Sequence, residues 1–284
     1  MKIVHRVDKV GSLILKGDVM ADAFDLDRYL GRVDWRGDRS PSLATLAGVL
    51  DAHVRHVPFE NFDVLLGRRI QLAVPSLQTK MIDARRGGYC FEHASLMAAA
   101  LEAIGFSVRR HIARVVLFQP LHEAPRDHMY LTVSADGGRF VVDPGFGPFA
   151  SRYPIPLDGT VTPDGHRVTQ DGASWKRHGL RRNQEFTGWV SAMEDDNPID
   201  FEMANHFKST HPDSVFRQWI FASAVTSSGR VNLMNRDVTW VTGETEMPDQ
   251  LTDRRQLRTL LAEHFGFDLP EAETLKVAAI PEWT

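Results

Sequence analysis

The chain has 284 residues, 43% of them hydrophobic, enough to bury a sizeable core in about two domains of ~150 residues. Its 33 Lys and Arg stand against 37 Asp and Glu, a net charge of -4 with basic pairs scattered, which excludes nucleic acid as the main partner. One cysteine excludes an intrachain disulfide and a multi-cysteine zinc site, and no apolar run reaches the roughly 18 residues of a membrane span, so the expectation is a globular, cytoplasmic protein.

In chain order, the first apolar stretch, Leu13 to Leu15, is broken by Lys16 and Asp18, so Met1 to Met20 lacks the core of a signal peptide. Ser42, after Pro41, caps a run whose apolar positions Leu43, Leu46, Ala47 and Leu50 recur at helical spacing. A second helix follows Cys90, its stripe Met97, Ala100, Leu101 and Ile104 ended by Gly105. From Val108 to Phe118 the texture turns to strand, and Met129 to Val133 and Arg139 to Val142 form two more, joined across Asp136-Gly137-Gly138, a hairpin signal. The Gly-, Pro-, Asp- and Thr-rich stretch from Pro144 to about Gln184 predicts loops and small strands of a barrel or sandwich. Helical spacing returns at Arg254 to His264, where Leu257, Leu260 and Leu261 share a face.

The chemistry concentrates around Arg86-Gly87-Gly88-Tyr89-Cys90. Two glycines permit a tight turn, and a thiol at a helix N-terminus feels the positive end of the macrodipole, which favours the reactive thiolate. A buried, inert cysteine is the alternative. His128 precedes one strand of the hairpin and Asp143 follows the other. With Asp136-Gly137 as the turn, paired residues sum to 273, whereas His128 and Asp143 sum to 271; they are diagonal neighbours on one face, within reach of each other. A carboxylate fixing one imidazole nitrogen while the other faces a thiol is the logic of a catalytic triad. His93, one turn after Cys90, is a second candidate partner. His53 and His56 form a close helical pair, but no His-Glu-x-x-His run occurs, and no metal is expected.

These residues together resemble the arylamine N-acetyltransferases, whose hallmark is Arg-Gly-Gly-x-Cys. The resemblance extends to Pro58-Phe59-Glu60-Asn61, Ala113-Arg114-Val115, His128-Met129, Asp143-x-Gly145-Phe146-Gly147 and Asn205 to Pro212. Residues 1–19 carry none of it, which makes Met20 a candidate start. The resemblance implies an α+β fold: a helical bundle (1–105) carrying Cys90, a β-barrel (106–204) carrying His128 and Asp143, and a C-terminal α/β lid (205–284), around a cysteine-protease-like core. It implies acetyl-CoA as co-substrate, an aromatic amine or hydrazine as acceptor, and a ping-pong route through acyl-Cys90. Gly145 and Gly147 would lie near the CoA pyrophosphate, and Phe59 and Phe146 in the acceptor pocket. The chain departs from the family pattern at Ala94, usually Asn, at Asp127, usually small and polar, and at Pro144 and Pro148. Asp127 is expected to favour protonation of His128. The competing readings are an amide synthase fed by a carrier-bound acyl group, a Cys-His-Asp amide hydrolase, and a non-catalytic binding domain.

Overall fold

The computed structural model describes residues 24–182 and 184–283, so the expectation for residues 1–19 lies outside the described residues. Five helices open it: α1 (Leu26–Arg32), α2 (Leu43–His56), α3 (Phe62–Leu65), α4 (Val74–Leu77), which runs on into a wide turn at Gln78–Asp83, and α5 (Cys90–Ile104). A two-residue strand β1 (Phe59–Glu60) lies between α2 and α3. The Ser42 side chain accepts from Thr45 N as the cap of α2, and Gly105, at φ 106°, closes α5 in the left-handed region that favours glycine.

Seven antiparallel strands follow: β2 (Ser107–Val115), β3 (Arg126–Ala135), β4 (Gly138–Val142), β5 (Ile155–Pro156), β6 (Arg167–Asp171), β7 (Ser174–Arg181) and β8 (Gln184–Ser191). Their order is β5-β4-β3-β2-β8-β7-β6, and the two edge strands approach each other to make a nearly closed barrel. Asp136 and Gly137 both take positive φ, as a two-residue hairpin turn requires, and β3 pairs β4 from Ala135↔Gly138 to Leu131↔Val142 in the expected register.

The C-terminal part begins with α6 (Pro198–Thr210), so the boundary expected after residue 204 falls within one helix. After α7 (Val215–Gln218) come four antiparallel strands, β9 (Phe221–Thr226), β10 (Gly229–Met234), β11 (Asp237–Thr242) and β12 (Thr245–Gln250), to which β1 adds a fifth. Helix α8 (Arg254–Leu260) covers them.

The largest apolar core joins α1, α2 and α5 to the face of β2, β3 and β4 that presents Ile112, Met129, Leu131, Val133 and Val142. A smaller cluster, including Tyr130, Val141, Phe146, Val168 and Trp189, fills the barrel. A third holds the C-terminal sheet to its helices and reaches back to Phe62. The helical part, the barrel and the C-terminal sheet therefore meet around the start of α5, where Cys90 lies.

Candidate active site

The turn before Cys90 is built by close packing and buried charge. A Cβ on Gly87 would collide with the Pro58 carbonyl oxygen, and one on Gly88 would stand 2.7 Å from the Glu92 carboxylate. Glycine at both positions lets the turn press against β1, where Glu60 N donates to Gly88 O at 2.8 Å. Arg86 holds the buried Glu60 carboxylate through Nε and Nη2, at 3.0 and 2.7 Å. Lys80 bridges Asp63 at 2.7 Å and Glu92 at 2.8 Å. Glu92 in turn accepts from Tyr89 N at 3.1 Å, which satisfies a free N–H at the start of α5. Cys90 thus opens α5 on a rigid base, 2% exposed.

His128 enters from β3 just after the register between β2 and β3 shifts, and Asp143 from the end of β4. His128 Nε2 lies 3.0 and 3.1 Å from the two Asp143 oxygens, so the diagonal geometry read from the hairpin is realised. The Cys90 thiol, beside the same ring, reaches the Asp127 carbonyl oxygen at 3.8 Å, and with Nε2 on Asp143 the ring nitrogen left for the thiol proton is Nδ1. Trp189 on β8 donates from Nε1 to the Asp143 carboxylate at 2.9 Å. Burial pulls the His128 imidazole down, but the Asp143 charge and hydrogen bond, helped by Cys90, outweigh it and push the ring up to about 9. For Asp143 burial acts upward; His128, the Arg177 charge and the Trp189 N–H hold it below the usual carboxylate range.

His93, the second candidate partner, is committed elsewhere. Its Nδ1 lies 2.9 Å from His53 Nε2, its Nε2 lies 3.2 Å from the Pro58 carbonyl oxygen, and His53 Nδ1 lies 2.9 Å from the Tyr29 hydroxyl. Burial pulls His93 down to about 4. The Asp127 carboxylate beside His128 pairs with Lys208 of α6 at 2.8 Å, a cation whose place there no sequence pattern marked.

Phe59, Cys90, His128, Gly145, Phe146 and Gly147 all line one cavity of about 1500 Å³. A Cβ on Gly145 would stand 2.6 Å from Cys90 Cα, so this glycine brings the turn after β4 directly onto the nucleophile's backbone. The Phe146 ring meets His128 edge to face with centroids 4.9 Å apart. Gly147, at φ 58°, offers its carbonyl oxygen to Arg230 Nη1 of β10 at 3.1 Å. Ala94 is fully buried one turn into α5. Sequence reading missed Trp189, Arg177 and Arg230, which no local pattern marks; Lys208 and Asp127 both lay in recognisable stretches, but nothing in the sequence paired them. Among the described residues no group of three or more His, Cys, Asp or Glu could hold a metal ion, and no helix is long and apolar enough to cross a membrane.

The family model described as N-acetyltransferase matches residues 42–274. The arylamine N-acetyltransferase of Mycobacterium tuberculosis is 33% identical over 258 residues, 88% of this chain and 91% of that one. That of Mycolicibacterium smegmatis is 34% identical over 257 residues, 87% and 93%. The structure of the Mycobacterium marinum arylamine N-acetyltransferase in complex with CoA superposes with a TM-score of 0.83 at 30% identity, over 87% of this chain and 94% of that one. With the motifs, the fold and these relatives in agreement, the chain belongs to the arylamine N-acetyltransferases, a family of acyltransferases.

Proposed function

We propose that the protein carries an acetyl group from acetyl-CoA to an arylamine or hydrazine through a thioester on Cys90, with Cys90, His128 and Asp143 as the triad. The observation that carries this reading is the buried His128–Asp143 pair, whose imidazole lines the same cavity as Cys90 at the head of α5. His128 takes the thiol proton and leaves sulfur as the nucleophile. Sulfur attacks the acetyl carbonyl; the carbon–sulfur bond to CoA breaks, and His128 returns its proton to the departing CoA thiolate. The amine then attacks the Cys90 thioester, His128 takes a proton from the amine nitrogen, and the Cys90 thiolate leaves. CoA departs before the amine reacts, which is a ping-pong sequence. Asp143 stays ionised throughout and holds Nε2, so that Nδ1 keeps facing sulfur.

The cavity is large enough to take a coenzyme thioester and an aromatic amine in turn, and Phe59 and Phe146 offer aromatic walls beside the sulfur. The Gly145-Phe146-Gly147 turn is the proposed neighbour of the CoA pyrophosphate. The division into a helical bundle (1–105), a barrel (106–204) and a lid (205–284) assigns Cys90 to the first and its two partners to the second. A working free thiol suits a reducing compartment, and we place the protein in the cytoplasm.

Intact-protein mass spectrometry with acetyl-CoA, then with a simple arylamine or hydrazine, tests the assignment. The expected result is one acetyl adduct that the amine discharges and that Cys90→Ala does not form. An adduct lost equally fast without amine would favour the hydrolase, and one formed only from a carrier-bound acyl group the amide synthase. Turnover surviving in Cys90→Ala would end the assignment.

A further inference from the structure

Arg177 on β7 is fully buried, yet its Nε and Nη1 find no hydrogen-bond partner among the described residues. Only Nη2 is engaged, donating to the Phe149 carbonyl oxygen. A buried charge is strongly unfavourable unless paired, so its presence inside the barrel calls for a reason. Its neighbours supply one. The guanidinium carbon stands 4.6 Å from the centroid of the Phe146 ring, and that ring meets His128. Gly188 on β8 leaves room for the layer: a Cβ there would be 2.7 Å from the Phe146 ring and 3.2 Å from Arg177 Nη1. Across the β7–β8 ladder Arg177 is opposite Trp189, at a shift in register, and Trp189 is the residue that donates to Asp143. Arg177 and Asp143 also attract each other through space.

We propose that Arg177 is a positioning residue of the triad: its plane holds Phe146 against His128, and it stands opposite Trp189, the donor to Asp143. The inference rests on the triad assigned above. The guanidinium acts at the far side of both partners of Cys90, and an apolar residue would fill the same space without orienting either. The titratable groups around it are Asp143, Asp164 in the loop ahead of β6, His166 just before β6 and His178 next to it on β7, while Tyr130 of β3 stacks on Trp189 opposite. Burial and then the Arg177 charge pull His166 down to about 4, and burial pushes Tyr130 up, so neither is charged near neutral pH. Asp164 and Asp143 are the anions facing Arg177.

The experiment compares wild type, R177M and R177K by three readouts: melting temperature, kcat for acetyl transfer, and the rate of Cys90 alkylation by iodoacetamide against pH. R177M should still fold, because losing a buried cation with two unpartnered nitrogens offsets part of what is lost with its through-space attraction to Asp143. Its kcat should fall roughly tenfold or more, and the acid limb of its alkylation profile should move up by about half a pH unit or more, since removing a cation disfavours the Asp143 anion. R177K, which keeps the charge, should restore the limb. An R177M limb at the wild-type position, or a melting temperature well below wild type with kcat lost only in proportion to unfolding, makes Arg177 structural and overturns the inference. A wild-type Cys90 that alkylates no faster than free cysteine defeats the triad assignment itself, whereas a reactive wild type with an unmoved limb in R177M defeats only the role of Arg177.

Discussion

Replacing Arg86 by Met would strip the buried Glu60 carboxylate of its cation. Glu60 is 0% exposed and Arg86 8%, and two charge-assisted bonds join them, so Arg86→Met leaves an anion in an interior where only Phe62 N, at 2.8 Å, and the more distant Lys80, at 4.0 Å, remain. Removing one partner of such a pair costs about 3–5 kcal/mol. Against a typical total of about 5–15 kcal/mol that is roughly a fifth or more of the stability. Urea unfolding followed by tryptophan fluorescence measures it directly. The double variant Glu60→Leu with Arg86→Met, which removes both charges, should regain about 2 kcal/mol or more over the single, a coupling that a double-mutant cycle isolates. The motif before the cysteine is then a foundation for α5 and takes no part in bond making. If Arg86→Met unfolds within about 1 kcal/mol of wild type while acetylation of Cys90 is lost, that reasoning is wrong and Arg86 acts on the substrate.

Asp143→Asn should fold and keep its Trp189 neighbour, yet lose about 10²- to 10⁴-fold in the rate of Cys90 acylation, read by quenched-flow mass spectrometry, because the amide no longer holds the His128 tautomer. Gly145→Ala should destabilise by about 1–3 kcal/mol and slow acylation as well, since the new methyl meets the Cys90 backbone; a variant with wild-type stability and rate would show that the turn can move aside. His93 should appear in the pH dependence of stability. Its folded value of about 4 lies below the ordinary 6.5, so its contribution is whole above pH 6.5 and is lost as the pH falls towards 4. His93→Gln should therefore flatten the plot of unfolding free energy against pH in that window by up to ~1.4 kcal/mol per unit, and an unchanged slope would contradict a neutral buried ring.

The hairpin that carries His128 and Asp143 was legible in the sequence because a two-residue turn with positive φ at Asp136 and Gly137 leaves no freedom of register. The helix that Cys90 opens was legible through its apolar stripe and its terminal glycine. Helix α6 was not, because Ile199, Met203 and Phe207 place large apolar side chains on its exposed side and blur the periodicity. Strand β12 was missed for the related reason that it is largely exposed and contains a proline, so little alternation marks it. Trp189 and Arg177 reach the site because β8 pairs with β2, far away in sequence, and carries β7 beside it. Asp127 was read as a lone charge; Lys208, 81 residues away, supplies its partner.

The buried row of Tyr29, His53 and His93 has a direction. Pro58 offers only a carbonyl oxygen, so His93 donates from Nε2 and accepts at Nδ1; His53 then donates from Nε2 and accepts at Nδ1; the Tyr29 hydroxyl must donate. Every proton in the row is assigned by its far end. Helices α1, α2 and α5 are thereby keyed to one another by a single permitted pattern of protons, and a helix sliding by one turn would find donor facing donor. An apolar core can settle in several nearly equal packings, whereas a keyed core cannot, and the sulfur of Cys90, one turn before His93, inherits a fixed address.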